Sequence, residues 1–253
     1  MGQDIKIITL GTSHGDPTAI RFNTSTLIDI PNYGGILIDA GTPVLGLLVR
    51  KKYPLDKLKA IYITHMHQDH FGGLPDILKI WVKRLPEDKV LKIFLPEADA
   101  METIFAFTEL AHRTIPRNRF EIYQVTPGDL SSLAGLNISA IQTDHFSNEG
   151  KSFPSYAYKI VVNNKTILCA GDISRDFHDY PANITADVAM CELTHYDLAK
   201  AIPHLQKEQY KKLIFTHVGD WYHVEANLVD FEKLVNQLPY PVALAYDGDE
   251  FIV

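Results

Sequence analysis

Residues 60–73 of this 253-residue chain read AIYITHMHQDHFGG, an apolar run that leads directly into histidines and closes on two glycines. The apolar run predicts a buried strand. His65 and His67 are two positions apart, so on an extended backbone their imidazoles point the same way and can bind one ion. Asp69 and His70 lie just beyond. Four ligands within six residues cannot surround a single ion, so the stretch predicts two adjacent metal ions.

An alternative interpretation is that these are surface histidines before a helix, with Asp69 as the helix cap. For a single histidine this interpretation would be favoured. Three histidines and an aspartate between an apolar strand and Gly72-Gly73 favour the metal instead, because the glycines let the backbone turn closely.

The overall composition is that of an ordinary globular protein, with 46% hydrophobic and 22% charged residues. A formal net charge of -7 disfavours broad binding to nucleic acid, which depends on Lys and Arg. Cys169 and Cys191 stand in apolar surroundings, which predicts buried thiols and a cytoplasmic protein. No targeting segment is recognisable, and no apolar stretch approaches the roughly 18 residues of a membrane span.

Two β-rich halves follow one another along the chain, and each ends in helices. The pattern predicts an α+β fold in which two mixed β-sheets lie face to face with helices outside, and one domain over residues 1–253. The predicted strands span Ile5–Leu10, Ser25–Ile30, Gly35–Asp39, Ala60–Thr64, Val90–Leu95, Glu121–Val125, Leu136–Asp144, Tyr156–Val162, Thr166–Ala170, Asp187–Cys191, Leu213–Thr216 and Val242–Ala245, and the predicted helices span Pro43–Lys52, Gly73–Arg84, Glu97–His112, Asp197–Lys212 and Ala226–Gln237.

The run THMHQDHFGG resembles the His-x-His-x-Asp-His signature of the metallo-β-lactamase fold superfamily. The resemblance implies a four-layer αβ/βα sandwich and three more ligands at strand ends, for which His145, Asp172 and His217 are the candidates. It also implies two Zn²⁺ ions, with Mn²⁺ or Fe²⁺ as alternatives. By resemblance, the first ion would be held by His65, His67 and His145, the second by Asp69, His70 and His217, and Asp172 would lie between them.

Two zinc ions that share a water lower its pKa to about 7, so that hydroxide is available for hydrolysis at neutral pH. Asp39, at the end of a predicted strand, resembles the aspartate that the superfamily places near its metals. The alternative is that Asp39 is a plain turn residue.

The opening at residues 10–17 and the ending at residues 245–248 resemble the ribonuclease Z and cyclic phosphodiesterase branch, as does Glu192 upstream of the late Thr-His step. Ribonuclease Z carries a long tRNA-clamping arm between its third histidine and its bridging aspartate. Only 26 residues separate His145 from Asp172 here. Together with the negative charge, the short gap predicts that tRNA is not the substrate and that a small phosphodiester, including a cyclic one, is.

Asp69 and His195 are the candidate catalytic residues. The resemblance implies a histidine about one helix before His217 that assists the leaving group, which favours His195 as general acid or phosphate-binding group. His204 is the alternative candidate for this role. A further alternative is that His195 only caps a helix.

Arginines offer further candidates for phosphate contacts, namely Arg21, Arg113, Arg117 and Arg119, although three in seven residues more often form a solvated face. Two other functions use the same ligands. One is hydrolysis of a carboxylic ester, lactone or thioester, and the other is a metal-binding sensor without hydrolytic activity. The expected partner is a small-molecule substrate, with no membrane and with a homodimer as a possibility.

Overall fold

The structure is a computed structural model that describes residues 4–130, 136–150 and 152–253. Its chain divides into two compact units, Met1–Val125 with Tyr246–Val253, and Thr126–Ala245. The strands are β1 (Lys6–Gly11), β2 (Ser25–Ile30), β3 (Gly34–Ile38), β4 (Leu58–Tyr62), β5 (Leu91–Leu95), β6 (Phe120–Gln124), β7 (Gly128–Asp129), β8 (Asn137–Thr143), β9 (Ser155–Val162), β10 (Lys165–Cys169), β11 (Thr185–Ala186), β12 (Val188–Leu193), β13 (Gln209–Tyr210), β14 (Leu213–Val218), β15 (Val242–Leu244) and β16 (Asp249–Ile252).

The helices are α1 (Val44–Arg50), α2 (Gln68–Phe71), α3 (Leu74–Arg84), α4 (Ala100–Glu109), α5 (Leu198–Leu205) and α6 (Glu225–Val235), with 3-10 turns at Leu55–Lys57, Arg117–Arg119, His145–Glu149 and Asp220–His223. In the part of the chain that the structure describes, none of these helices has the length and apolar character needed to cross a membrane.

The first unit contains a seven-stranded sheet with the order β16-β1-β2-β3-β4-β5-β6. Pairing is antiparallel from β16 to β3 and parallel from β3 to β6. Parallel neighbours need crossover connections, which α1, α3 and α4 supply. Leu78 and Trp81 of α3 are buried in one core with Leu37 of β3 and Ile61 of β4, so the helix fixes the carboxyl ends of both strands.

The second unit repeats this plan with the order β15-β14-β12-β10-β9-β8-β7. Pairing is antiparallel from β7 to β10 and parallel from β10 to β15. Because β8, β10, β12 and β14 run in the same direction, the segments that follow them emerge at one edge of this sheet. The prediction of an α+β fold with two mixed sheets is confirmed.

The helix predicted over Asp197–Lys212 is wrong in its second half, since α5 ends at Leu205. The reason is a tertiary contact. Gln209 and Tyr210 form β13, which pairs in parallel with β11. The ring of Tyr210 is buried, so pairing and burial together override the helical pattern.

Two of the arginines in the 113–119 cluster are engaged by the protein itself. Arg117 pairs with Glu109 at 2.7 Å. Arg119 is only 4% exposed, and it donates to the carbonyl oxygens of Lys89 at 3.0 Å and Pro86 at 2.6 Å. These contacts favour structural roles over phosphate binding.

Arg21 also lies inside the first unit, at 1% exposure. Its guanidinium donates to Thr12 Oγ1 at 2.6 Å and lies 4.2 Å from the centre of the Tyr246 ring. The Asp247 carboxylate accepts from the same Thr12 hydroxyl at 2.7 Å. Arg21 therefore ties the loop after β1 to the C-terminal segment, whereas Arg113 is exposed.

Candidate metal centre

The ligand run, His65–His70, begins in a bend after β4 and ends inside α2. The predicted strand over Ala60–Thr64 is therefore too long, since β4 stops at Tyr62. The side chains nevertheless meet in pairs. His65 Nε2 lies 3.0 Å from His67 Nδ1, and Asp69 Oδ2 lies 3.3 Å from His70 Nε2. Each pair presents two facing ligand atoms of the types that bind zinc.

Asp39 orients the last histidine of the run. Its Oδ2 lies 2.8 Å from His70 Nδ1, and its Oδ1 accepts the Thr64 backbone N–H at 2.8 Å. Asp39 has a left-handed φ of 60°, which aspartate tolerates better than most residues. With a proton on Nδ1 held by Asp39, His70 presents Nε2 to the side of Asp69, as metal-binding histidines commonly do.

Glycines let the loop after β3 pack against the ligand run. A Cβ on Gly41 would lie 2.1 Å from the Asp69 carbonyl oxygen, and one on Gly73 would lie 2.8 Å from the Ala40 carbonyl oxygen. Gly72 and Gly73 have ordinary φ values of -59° and -87°. The two glycines are therefore needed for the space they leave rather than for an unusual turn.

In the second unit, three imidazoles surround one carboxylate. Asp172 Oδ2 lies 3.5 Å from His217 Nε2, 3.7 Å from His195 Nδ1 and 3.9 Å from His145 Nε2. Asp172 follows β10 and is 3% exposed, and His217 lies near the end of β14 with a left-handed φ of 48°. Residues held in such sparsely populated conformations cluster at functional sites.

Glu192 organises the histidine that follows β12. It is 2% exposed. Its Oε1 lies 3.0 Å from His195 Nδ1, and its Oε2 accepts the backbone N–H groups of Thr194 at 2.7 Å and of His195 at 3.0 Å. The imidazole of His195 contacts the rings of His145 and His217 at centroid distances of 4.7 Å and 5.5 Å.

The rival histidine lies elsewhere in the second unit. His204 is exposed near the end of α5, and its ring lies 6.0 Å from that of Phe177. The structure thus places His195, and not His204, beside the carboxylate of Asp172.

Both groups of side chains fit a divalent metal. Imidazole nitrogens and carboxylate oxygens are the donors that zinc takes in hydrolytic sites. Asp172, His195 and His217 each offer one ligand atom, all within 4.8 Å of one another. His65, His70, His145 and His217 are at most 4% exposed, so these candidate donors lie inside the protein.

Two carboxylates of the second unit are not among the site residues predicted from the sequence. Glu192 is indicated only by resemblance, and Asp179 is not indicated, although its carboxylate bonds to the loops after β8 and β10. The sequence itself could also have marked Glu192, because it is the one charged residue in the apolar strand β12, VAMCEL. A carboxylate at such a position usually has dedicated partners. Nothing comparable marks Asp179, which stands in a polar loop.

Burial lowers the pKa of His145, although Asp172 opposes the shift. In the unfolded chain a histidine takes up a proton near pH 6.5. Below that pH, His145 therefore binds fewer protons in the folded metal-free protein than in the unfolded chain, and its contribution to stability falls as the solution is acidified.

We expect the free energy of unfolding of the metal-free protein to drop between about pH 7 and pH 5.5, with His145 contributing at most about 1.4 kcal/mol per pH unit. Urea titrations of chelator-treated protein would measure it. His145→Gln should flatten the drop, because it removes the imidazole that burial keeps from taking up a proton. An equally steep drop in His145→Gln would contradict the assignment.

The curated proteins similar to this chain include ribonucleases Z. Ribonuclease Z 1 of Schizosaccharomyces pombe is 27% identical over 288 residues, which cover 98% of this chain and 34% of that protein. The chain spans about half or less of the length of the curated ribonucleases Z that it matches.

Solved structures show the fold. The metallo-β-lactamase fold protein YhfI of Bacillus subtilis superposes with a TM-score of 0.77 at 21% identity, covering 99% of this chain and 100% of that one. The short form of human tRNase Z superposes with a TM-score of 0.67 at 19% identity, covering 97% and 98%. The fold is therefore the metallo-β-lactamase fold that the ligand run predicts.

One family profile extends over most of the chain, from the start of the first sheet to the end of the last helix. It is the profile of the anti-Pycsar protein Apyc1, and it matches residues 5–238. The chain therefore belongs to the anti-Pycsar protein Apyc1 family.

Proposed function

We propose that the protein is a dinuclear zinc hydrolase that cleaves a small phosphodiester, cyclic ones included. The observation that carries this proposal is the arrangement around Asp172. A buried carboxylate with three imidazoles within 4 Å suits metal binding, and one of those imidazoles, His195, is also held by Glu192 at 3.0 Å. Metal binding and proton transfer are the two tasks that phosphodiester hydrolysis requires.

The proposed ligands are seven histidines and aspartates. The proposal is supported by their types, by their burial and by the facing nitrogens and oxygens within each unit. Bound zinc would supply a Lewis acid and a nucleophilic hydroxide at neutral pH. The first ion would be held by His65, His67 and His145, and the second by Asp69, His70 and His217, with Asp172 shared between them.

His195 is proposed as the general acid. Its Nδ1–H donates to Glu192, which leaves Nε2 to hold the transferable proton when the imidazole is protonated. The Glu192 carboxylate stabilises that charged form. The side chain of His195 is 26% exposed, so Nε2 can approach a leaving-group oxygen and protonate it.

His195 has a competing role as a metal ligand, since its Nδ1 is 3.7 Å from Asp172 Oδ2. That same nitrogen is nearer to Glu192, at 3.0 Å. We therefore favour the proton-transfer role, in which Nδ1 is committed to the carboxylate.

The proposed substrate is small because of the segment between His145 and Asp172. Most of its 26 residues form the hairpin of β9 and β10, which leaves no length for a clamping arm. The similarity to ribonucleases Z favours a second candidate, cleavage of a tRNA precursor, and any test must include it. Cytoplasmic location and homodimerisation also stay proposals. The burial of Cys169 and Cys191 supports the former.

We expect the zinc-loaded protein to hydrolyse bis(p-nitrophenyl) phosphate and a cyclic phosphodiester, and not a lactone, a thioester, a β-lactam or a tRNA precursor. Initial rates on these substrates would decide. Asp172→Asn should lower both zinc content and turnover, the latter by more than about 100-fold. Asp230→Asn, at an exposed carboxylate paired with Lys233, is the matched control. Turnover of the carboxylic esters alone would refute the phosphodiesterase, and cleavage of the tRNA precursor would favour the second candidate.

His195→Ala should lower kcat by about 100- to 10,000-fold for a phosphodiester with an alkoxide leaving group. The loss should be far smaller for p-nitrophenolate, because that leaving group departs without a proton. Steady-state kinetics on both substrates would measure the difference, and His204→Ala should resemble the unaltered protein. Equal losses for both leaving groups would argue against a general acid, and a rise in KM alone would indicate phosphate binding.

A further inference from the structure

The loop that follows Asp172 doubles back in a tight turn at Ser174–Tyr180. Phe177 N–H donates to the Ser174 carbonyl at 3.1 Å, and Phe177 adopts a left-handed φ of 63°. A bulky side chain rarely adopts this conformation, which persists only where its surroundings fix it. Here Phe177 is buried between Tyr180 and Tyr196, with both ring centroids at 4.6 Å. The packing therefore fixes the turn and returns the chain toward Ser174.

The turn brings the carboxylate of Asp179 against two loops. Its Oδ1 accepts from the backbone N–H of Ser174 at 2.9 Å and from the Ser174 hydroxyl at 2.6 Å. Its Oδ2 accepts from the backbone N–H of Asp144, 35 residues earlier in the chain, at 2.5 Å. One carboxylate thus holds three donors, and hydrogen bonds to a charged acceptor are the stronger ones.

Each of these loops carries a proposed metal ligand next to its bond with Asp179. Asp144 immediately precedes His145, and Ser174 is two residues beyond Asp172. A second link between the loops, from His145 Nδ1 to the carbonyl oxygen of Ile173, is longer at 3.4 Å. Asp179 therefore makes the shorter hydrogen bonds to both ligand-bearing loops.

We propose that Asp179 is a positioning residue that fixes the spacing of His145 and Asp172, so that both ligands are arranged for metal before the metal binds. The inference rests on the metal centre of the proposed function. Asp179 would act through the backbone beside the two ligands, to which its hydrogen bonds run. Partners of this kind typically change metal affinity by about 10- to 100-fold.

The same turn supplies a matched control. Asp176 contacts His178 Nδ1 at 2.5 Å and the Ser174 hydroxyl at 2.9 Å. Its side chain is 74% exposed. Asp176→Asn therefore alters a carboxylate of the same turn while leaving both backbone bonds of Asp179 in place.

The test compares Asp179→Asn with Asp176→Asn. Asparagine keeps one acceptor oxygen, but its amide NH₂ cannot accept a second N–H, so one of the two loops is released. Zinc affinity would be measured by competition with a chromogenic chelator, and the thermal midpoint of the metal-free protein would be measured alongside. We expect Asp179→Asn to weaken at least one zinc site by about 10- to 100-fold at a nearly unchanged midpoint, and Asp176→Asn to stay within about twofold.

Hydrogen exchange of the unaltered, metal-free protein is a second measurement that does not depend on the variant folding. The amides of Asp144 and Ser174 should already be protected before zinc is added. Free exchange of both amides until zinc arrives would overturn the proposal, and so would unchanged zinc affinity in Asp179→Asn or an equal loss in Asp176→Asn. If the unaltered chain bound no zinc at all, the proposed function would fail as well, whereas normal zinc binding in Asp179→Asn would refute only the role of Asp179.

Discussion

The hydrogen bond between Asp39 Oδ2 and His70 Nδ1 is 2.8 Å long and joins side chains that are 6% and 1% exposed. This hydrogen bond orients the His70 ring, and every imidazole proposed as a ligand needs to be oriented in some such way. A histidine can bind metal through one nitrogen only if the ring is neutral at that atom and is held in the correct orientation. Two of the proposed ligands show such a contact: His70 Nδ1 lies 2.8 Å from the buried Asp39 carboxylate, and His145 Nδ1 lies 3.4 Å from the Ile173 carbonyl oxygen.

The two units share the same strand arrangement. In each, three strands pair in antiparallel fashion with their neighbours before the sheet turns parallel, at β3 in the first unit and at β10 in the second. Asp39 follows β3 and Asp172 follows β10, so a buried aspartate occupies the same place in both sheets. The next parallel strand, β4 or β12, leads into histidines in each case. One structural plan thus supplies an orienting carboxylate in one unit and a proposed metal ligand in the other.

Much of the fold and of the candidate site could be predicted from the sequence, because the patterns that indicate them lie within short stretches of the chain. The ligand run lies within six residues, and the strands that precede His145, Asp172 and His217 show apolar runs bounded by turn residues. Strand bounds were within about two residues for most strands in the parallel parts of the sheets. The short strand β16 was missed, although the segment that precedes it carried part of the resemblance.

What could not be predicted depends on partners far apart in the chain. The end of α5 at Leu205 is set by pairing of β13 with β11, about 24 residues earlier. The burial of Arg119 against carbonyl oxygens of residues 85–89, about 30 residues earlier, is equally invisible in a local pattern. The same applies to Asp179, whose partner Asp144 is 35 residues away. Polar networks of this kind hold the ligands, and they are specified by the tertiary structure.

We propose that the histidines and aspartates named as ligands hold two metal ions. Native mass spectrometry of the zinc-loaded chain tests it most directly, because it counts the ions bound to each polypeptide. We predict a mass increase of two zinc ions per chain, lost together on chelation. A chain that carries no zinc, or that saturates at a single ion, would contradict the account.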